Sequence, residues 1–174
     1  MILKEPYLIR FAQYNDIDRI LDIMAEVTAH LPFPSWYVAD DREFLARHID
    51  KDGFTLVAVK NESIVAFLVV RFPGAKEDNL GSVLDPLDVT HMSVAHMEST
   101  AVIPAEQGKG LQLRLLREAE MCPAIKRYAH WMATVHPDNH YSLANFQCLG
   151  YREIARIPKY GGLNRIILHK DNPY

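Results

Sequence analysis

Val102-Ile103-Pro104-Ala105-Glu106-Gln107-Gly108-Lys109-Gly110-Leu111-Gln112 is the stretch on which the reading of this chain turns. An extended run, Met97 to Ile103, leads into Pro104. Two glycines follow, and then an amphipathic segment with leucines at 111, 113, 115 and 116. A strand, a glycine-rich loop and a helix N-terminus together make a site for a phosphorylated ligand. Glycine lets the backbone come close to phosphate oxygens. The free N–H groups and dipole of the first helical turn favour negative charge. The two best-known phosphate loops do not fit. The Walker pattern needs Ser or Thr after the Lys of a Gly-Lys pair, and Gly110 follows Lys109. The dinucleotide fingerprint needs a third glycine three residues after the second, where this chain has Leu113.

A second informative stretch runs from Val135 to Tyr151. Asp138 or Asn139 can cap a helix, Leu143, Phe146 and Leu149 have helical spacing, and Gly150 suits a position just past the helix end. Taken together, Gln107 to Gly110 and the run from Asn139 through Ser142 to Gly150-Tyr151 resemble the two signatures of the GNAT superfamily, the acetyl-CoA-dependent N-acetyltransferases. Both occur in the family's order and span most of the chain. Gln112 departs from the small residue usual at the end of the family's loop. The resemblance implies a co-substrate, acetyl-CoA, held by backbone at Val102 and Ile103 and by the loop residues Gln107, Gly108, Lys109, Gly110, Leu111 and Gln112. It extends the cofactor-binding set to Asn139, Ser142, Asn145 and Phe146.

The rest of the chain agrees with one domain over residues 1–174, as its length leads one to expect. Tyr7 to Phe11 reads as a strand, and Asn15-Asp16 starts a helix with apolar positions Ile17, Ile20, Leu21, Met24 and Val27. Two prolines and three aromatics crowd the loop Leu31 to Tyr37, and Asp40 or Asp41 caps a short second helix. Strands on either side of a tight Asn61-Glu62 turn form a hairpin. Pro73 to Ser93 is a long mixed connection, with a helical turn expected at Asp85-Pro86. The expected fold class is α/β (α+β), in the order β-α-α-β-β-β-α-β-α-β-β. The family resemblance makes this a mixed, largely antiparallel sheet flanked by helices, with a gap between the two parallel strands for the pantetheine arm.

The formal net charge of −3 points to no nucleic acid or anionic membrane as partner. The longest strongly apolar run, Ile64 to Val70, is a strand length. Cys122 and Cys148 lack metal-site spacing, so a reduced cytoplasmic protein is expected. His91, His136 and His140 form no metal set, and no metal is expected. The chain is read as a monomer or homodimer.

Acetyl transfer from a thioester to an amine needs a neutral amine, a donor for the developing oxyanion and a proton for the departing thiolate. Glu98 is the first candidate base, four residues before Val102, where many family members carry Glu. His96 is the secondary candidate, on the same face of a regular strand. The family often has a Tyr seven residues after the helix-opening Asn. Here that residue is Phe146, which leaves Tyr160 as the candidate donor. Phe33 and Trp36 are candidates for lining the acceptor pocket. The acceptor is a small-molecule or peptide amine. The alternative from another class is a non-catalytic acyl-CoA-binding sensor or regulatory protein with the same fold.

Overall fold

In the computed structural model, residues 6–84 and 93–174 are described. The expected turn at Asp85-Pro86 and His91 lie outside them. Seven strands among these residues form one sheet in the order β1-β2-β3-β4-β5-β7-β6. The strands are β1 Leu8–Phe11, β2 Gly53–Lys60, β3 Ser63–Arg71, β4 Val94–Val102, β5 His130–Val135, β6 Arg152–Lys159 and β7 Leu163–Asp171. Every neighbouring pair is antiparallel except β4 with β5. The helices are α1 Ile17–His30, α2 Arg42–Arg47, α3 Leu111–Met121, α4 Pro123–Lys126 and α5 His140–Cys148. The one-turn α4 adds to the expected order. Pro123 ends α3 and then supplies the first residue of α4, a position that needs no N–H donor.

Periodicity explains which faces are buried. α1 turns Ile17, Ile20, Met24 and Val27 onto one side of the sheet, against Val57, Phe67, Val69 and Ala101. α3 turns Leu111, Leu115, Leu116 and Ala119 onto the other side, against Leu56, Leu68, Val70 and Ala95. Each such leucine contributes about 1.5–3 kcal/mol by leaving water. Asn61 and Glu62 both have positive φ, as the turn of the β2–β3 hairpin requires. At the end of α5, Gly150 has φ +88°, and the N–H of Tyr151 reaches back to the carbonyl of Phe146.

Two irregularities position the candidate site. β4 and β5 pair only at Val94–His130, Ala95–Trp131 and His96–Met132, and then part. β4 also carries a bulge against β3. Val69 faces Ser99 and Val70 faces Met97, so Glu98 is the extra, unpaired residue. No helix among the described residues is long and apolar enough to cross a membrane.

Candidate active site

Where β4 and β5 part, a cavity of about 150 Å³ opens. Met97 and Glu98 form one lip and Ala133 and Thr134 the other, with Lys159 from the end of β6, Tyr160 from the turn after it, and Arg71, Asp78, Leu80 and His96 behind. Three residues singled out from the sequence, His96, Glu98 and Tyr160, thus share one cavity.

Glu98 is clamped from two sides. Nδ1 of His96 lies 3.0 Å from its Oε2, and Nη1 of Arg71 lies 3.5 Å from its Oε1. Arg71 is itself held by a two-pronged pair with Asp78, at 2.8 and 2.6 Å. Nε2 of His96 accepts the N–H of Leu80 at 3.1 Å. That bond leaves the ring proton on Nδ1, so His96 donates to Glu98. Both ring nitrogens are used within the protein, and the residue is 2% exposed. In this arrangement neither ring nitrogen of His96 is open to a substrate, and its Nδ1 faces Glu98. Asp78 and Leu80 lie in one short segment after β3, so the described part of the long connection anchors both sides of the clamp. Burial works against the charge of Glu98, but the His96 hydrogen bond and the Arg71 guanidinium prevail, and its carboxyl lies below the ordinary range.

Tyr160 has φ +50° in the β6–β7 turn, and its hydroxyl lies 3.2 Å from Oγ1 of Thr134. Burial and the nearby Glu98 carboxylate raise its pKa, so it keeps its proton at neutral pH. Asp40 joins the same polar region through Ser99, whose hydroxyl also meets that of Tyr37 at 2.8 Å. Burial chiefly, then the charges of Glu98 and Asp41, push the Asp40 carboxyl up to about 6 against the opposing pull of Ser99 and Arg71.

The glycine loop follows the C-terminal end of β4, the end toward which β4 and β5 diverge. Gly108 and Gly110 both have φ +75°, and beyond their flanking residues no atom lies within 4 Å of where a Cβ would stand on either. Gly110 caps α3 with no side-chain hydrogen bond to the first turn. Open space before left-handed glycines and an uncapped helix start fits an anion such as a pyrophosphate. The loop is braced from behind by Glu106. This buried carboxylate receives the Tyr7 hydroxyl, Nζ of Lys60 at 2.7 Å and Nζ of Lys109 at 2.9 Å. Hydrogen bonds from Lys109, Lys60 and Tyr7 hold its pKa down at about 2.

The other sequence-derived positions have local duties. Lys109 also donates to the Ala105 carbonyl, and the Gln107 side chain donates to the Val102 carbonyl at 3.0 Å. The N–H of Ile103 binds the Val65 carbonyl, and the side chain of Leu111 is in the core. Asn139 caps α5 through the N–H of Ser142. Gln112 spans from α3 to α5, donating to Ser142 Oγ at 3.0 Å and accepting from Asn145 Nδ2 at 2.7 Å. This bond pair occupies the larger side chain away from the glycines. Phe146 is 2% exposed and packs edge-on to Tyr151 in the core. Phe33 and Trp36 do not line the cavity. Trp36 stacks on His136 at the end of β5, and Phe33 is largely exposed.

Arg71, Asp78, Asp40, Thr134 and Glu106 escaped sequence reasoning. Arg71 left one signal, as the first charge after the apolar run of β3. Glu106 left none, because Tyr7 and Lys60 are distant in sequence.

A comparison with curated protein sequences finds no significant match. Among solved structures, the Salmonella typhimurium protein yncA, solved with its cofactor acetyl-CoA, is 21% identical with a TM-score of 0.70, over 97% of this chain and 95% of its own. The ribosomal-protein-S18-alanine N-acetyltransferase of Escherichia coli is 16% identical with a TM-score of 0.68, over 97% and 95%. An N-acetyltransferase from Staphylococcus aureus Mu50 is 18% identical with a TM-score of 0.70, over 95% and 98%. At these identities the likeness is one of fold. The model of the acetyltransferase (GNAT) family matches residues 18–151, which take in the bulged strand, the glycine loop and the helix after Asn139. By that match, the chain belongs to the GNAT family of acetyltransferases.

Proposed function

We propose that the protein transfers an acetyl group from acetyl-CoA to a primary amine, with Glu98 receiving the amine. The observation that carries this reading is the clamped, ionised Glu98 on a bulge at the parting of β4 and β5, in one cavity with Tyr160. When bound, acetyl-CoA supplies an acyl group activated as a thioester. Gly108, Gly110 and the first-turn N–H groups of α3 would hold its pyrophosphate.

Magnitudes decide how Glu98 acts. An alkylammonium has a pKa of about 10.4 and an ordinary Glu about 4.3. Full transfer to such a carboxylate is uphill by about 8 kcal/mol, and Glu98 lies lower still. Glu98 therefore draws the ammonium in by a charge-assisted hydrogen bond and relays its proton to bulk solvent rather than keeping it; at pH 7 that loss costs about 5 kcal/mol. His96 and Arg71 keep the carboxylate charged and aimed. Tyr160, protonated at neutral pH, donates toward the leaving sulfur. A thiol has a pKa of about 8.5, so departure needs only modest help.

The second reading, a non-catalytic acyl-CoA binder, draws on Phe146, whose ring is packed in the core where the family often has a Tyr. A thiol-release screen with small amines, peptide N-termini and lysine peptides tests the two. Turnover with one class, lost by about 10²–10⁴ in Glu98→Gln with unchanged CoA affinity, supports catalysis. CoA binding without turnover on any class favours the sensor.

A further inference from the structure

A second cluster of chemically active side chains lies at the other end of β5. His130 opens β5, and His169 and Asp171 lie at the end of β7. The antiparallel register sets His130 opposite Asp171, with His169 two residues along opposite Met132. Two-residue spacing keeps His169 and Asp171 on one face. Nδ1 of His130 is 3.1 Å from Nε2 of His169. Oδ1 of Asp171 is 3.4 Å from each of them.

Those three distances match a coordination polyhedron. Ligand atoms about 2.05 Å from a tetrahedral zinc stand about 3.3 Å apart. Two imidazoles and one carboxylate suit zinc and its first-row neighbours, and disfavour calcium and magnesium, which take oxygen ligands. We propose that His130 Nδ1, His169 Nε2 and Asp171 Oδ1 bind one divalent transition-metal ion of the zinc type, with a fourth position left to water.

The surroundings fit. Nη2 of Arg152 lies 3.6 Å from Oδ2 of Asp171, on the oxygen the histidines do not use, and so holds Oδ1 toward them. His169 is 7% exposed, whereas the side chain of Asp171 is 64% exposed, so the site has a buried wall and an open side through which an ion enters. His130 precedes Thr134 by four residues, about 13 Å along a strand. The ion therefore braces β5 to β7 and stays clear of the reacting atoms.

The test uses the full chain, untagged and stripped with EDTA, titrated with Co²⁺ alone and then with Zn²⁺. One equivalent of cobalt should produce the visible absorption of a low-coordinate site, and zinc should abolish it. Zinc should also raise the melting temperature of the wild type. Asp171→Asn changes an exposed residue, and circular dichroism checks that it folds. It should weaken cobalt binding by at least about tenfold and remove the zinc-dependent rise. His169→Gln should do the same, and His30→Gln, on exposed α1 surface, should change nothing. Absence of saturable cobalt and zinc binding, or binding that survives Asp171→Asn and His169→Gln, overturns the proposal.

Discussion

Asp40→Asn should make the protein more stable at neutral pH and leave its stability in acid nearly unchanged. In the folded chain the Asp40 carboxyl is raised from an ordinary 3.8 to about 6, chiefly by burial, and its Oδ2 has no hydrogen-bond partner among the described residues. Between those two values the folded chain keeps a proton that the unfolded chain has lost. Stability therefore falls as pH rises through this window, and above about pH 6 the whole cost stands. Two units correspond to about 3 kcal/mol, at 1.36 kcal/mol each. Asn carries no charge at any pH, so the substitution removes that cost. For a chain of this length the gain amounts to a rise in Tm of about 6–12 °C at pH 7.5. Urea unfolding of wild type and variant at pH 4 and pH 7.5 measures it, because titrations elsewhere cancel in the difference. A stability difference equal at both pH values, or a variant less stable at pH 7.5, would refute the reasoning.

Four further outcomes are expected. Gly110→Val should cost about 1–2 kcal/mol for a left-handed non-glycine residue and weaken CoA binding more than tenfold, read by calorimetry on a variant shown to be folded. His96→Gln should lower turnover less than Glu98→Gln and move the acidic limb of the kcat/KM profile upward, because the hydrogen bond that holds the Glu98 pKa down is weakened. An unchanged limb would leave His96 a packing residue only. Phe146→Tyr should lose about 1–3 kcal/mol by burying a hydroxyl and give no gain in turnover, whereas a gain would put that ring edge at the cleft. Glu106→Gln should weaken CoA affinity severalfold. In the wild type the Glu106 brace is whole above about pH 4.5 and is lost only as pH falls toward about 2, so affinity should hold through mild acid.

What could be read from the sequence was local. Gly108 and Gly110 marked the loop, Asn61 the hairpin turn and Gly150 the end of α5, because glycine, and to a lesser degree asparagine, accepts a left-handed backbone angle that most residues avoid. The leucine spacing of α3 and the apolar spacing of α1 marked their buried faces. What could not be read was made by pairing across the sheet. The bulge that frees Glu98 depends on how β3 meets β4, and nothing within Met97 to Ser99 announces it. The Nε2 bond that turns His96 into a donor comes from Leu80, in another segment. His130 and His169 meet only through the register of β5 and β7, so no short spacing reveals them. Trp36 and Phe33 were legible as a cluster, but the stacking of Trp36 on His136 at the end of β5 was not.

The brace behind the glycine loop has a consequence for motion. β1 is four residues long and lies at the edge of the sheet, so it opens locally at far less cost than the whole molecule. Each opening draws Tyr7 away from Glu106, 99 residues later in the chain. A ligand that prefers the fully braced loop favours the closed edge by mass action. The amides of Leu8 to Phe11 should then exchange with deuterated solvent more slowly when the loop is filled, although they lie in a different strand from the one that leads into it. The first strand of the chain thus serves as a built-in reporter of occupancy at the loop.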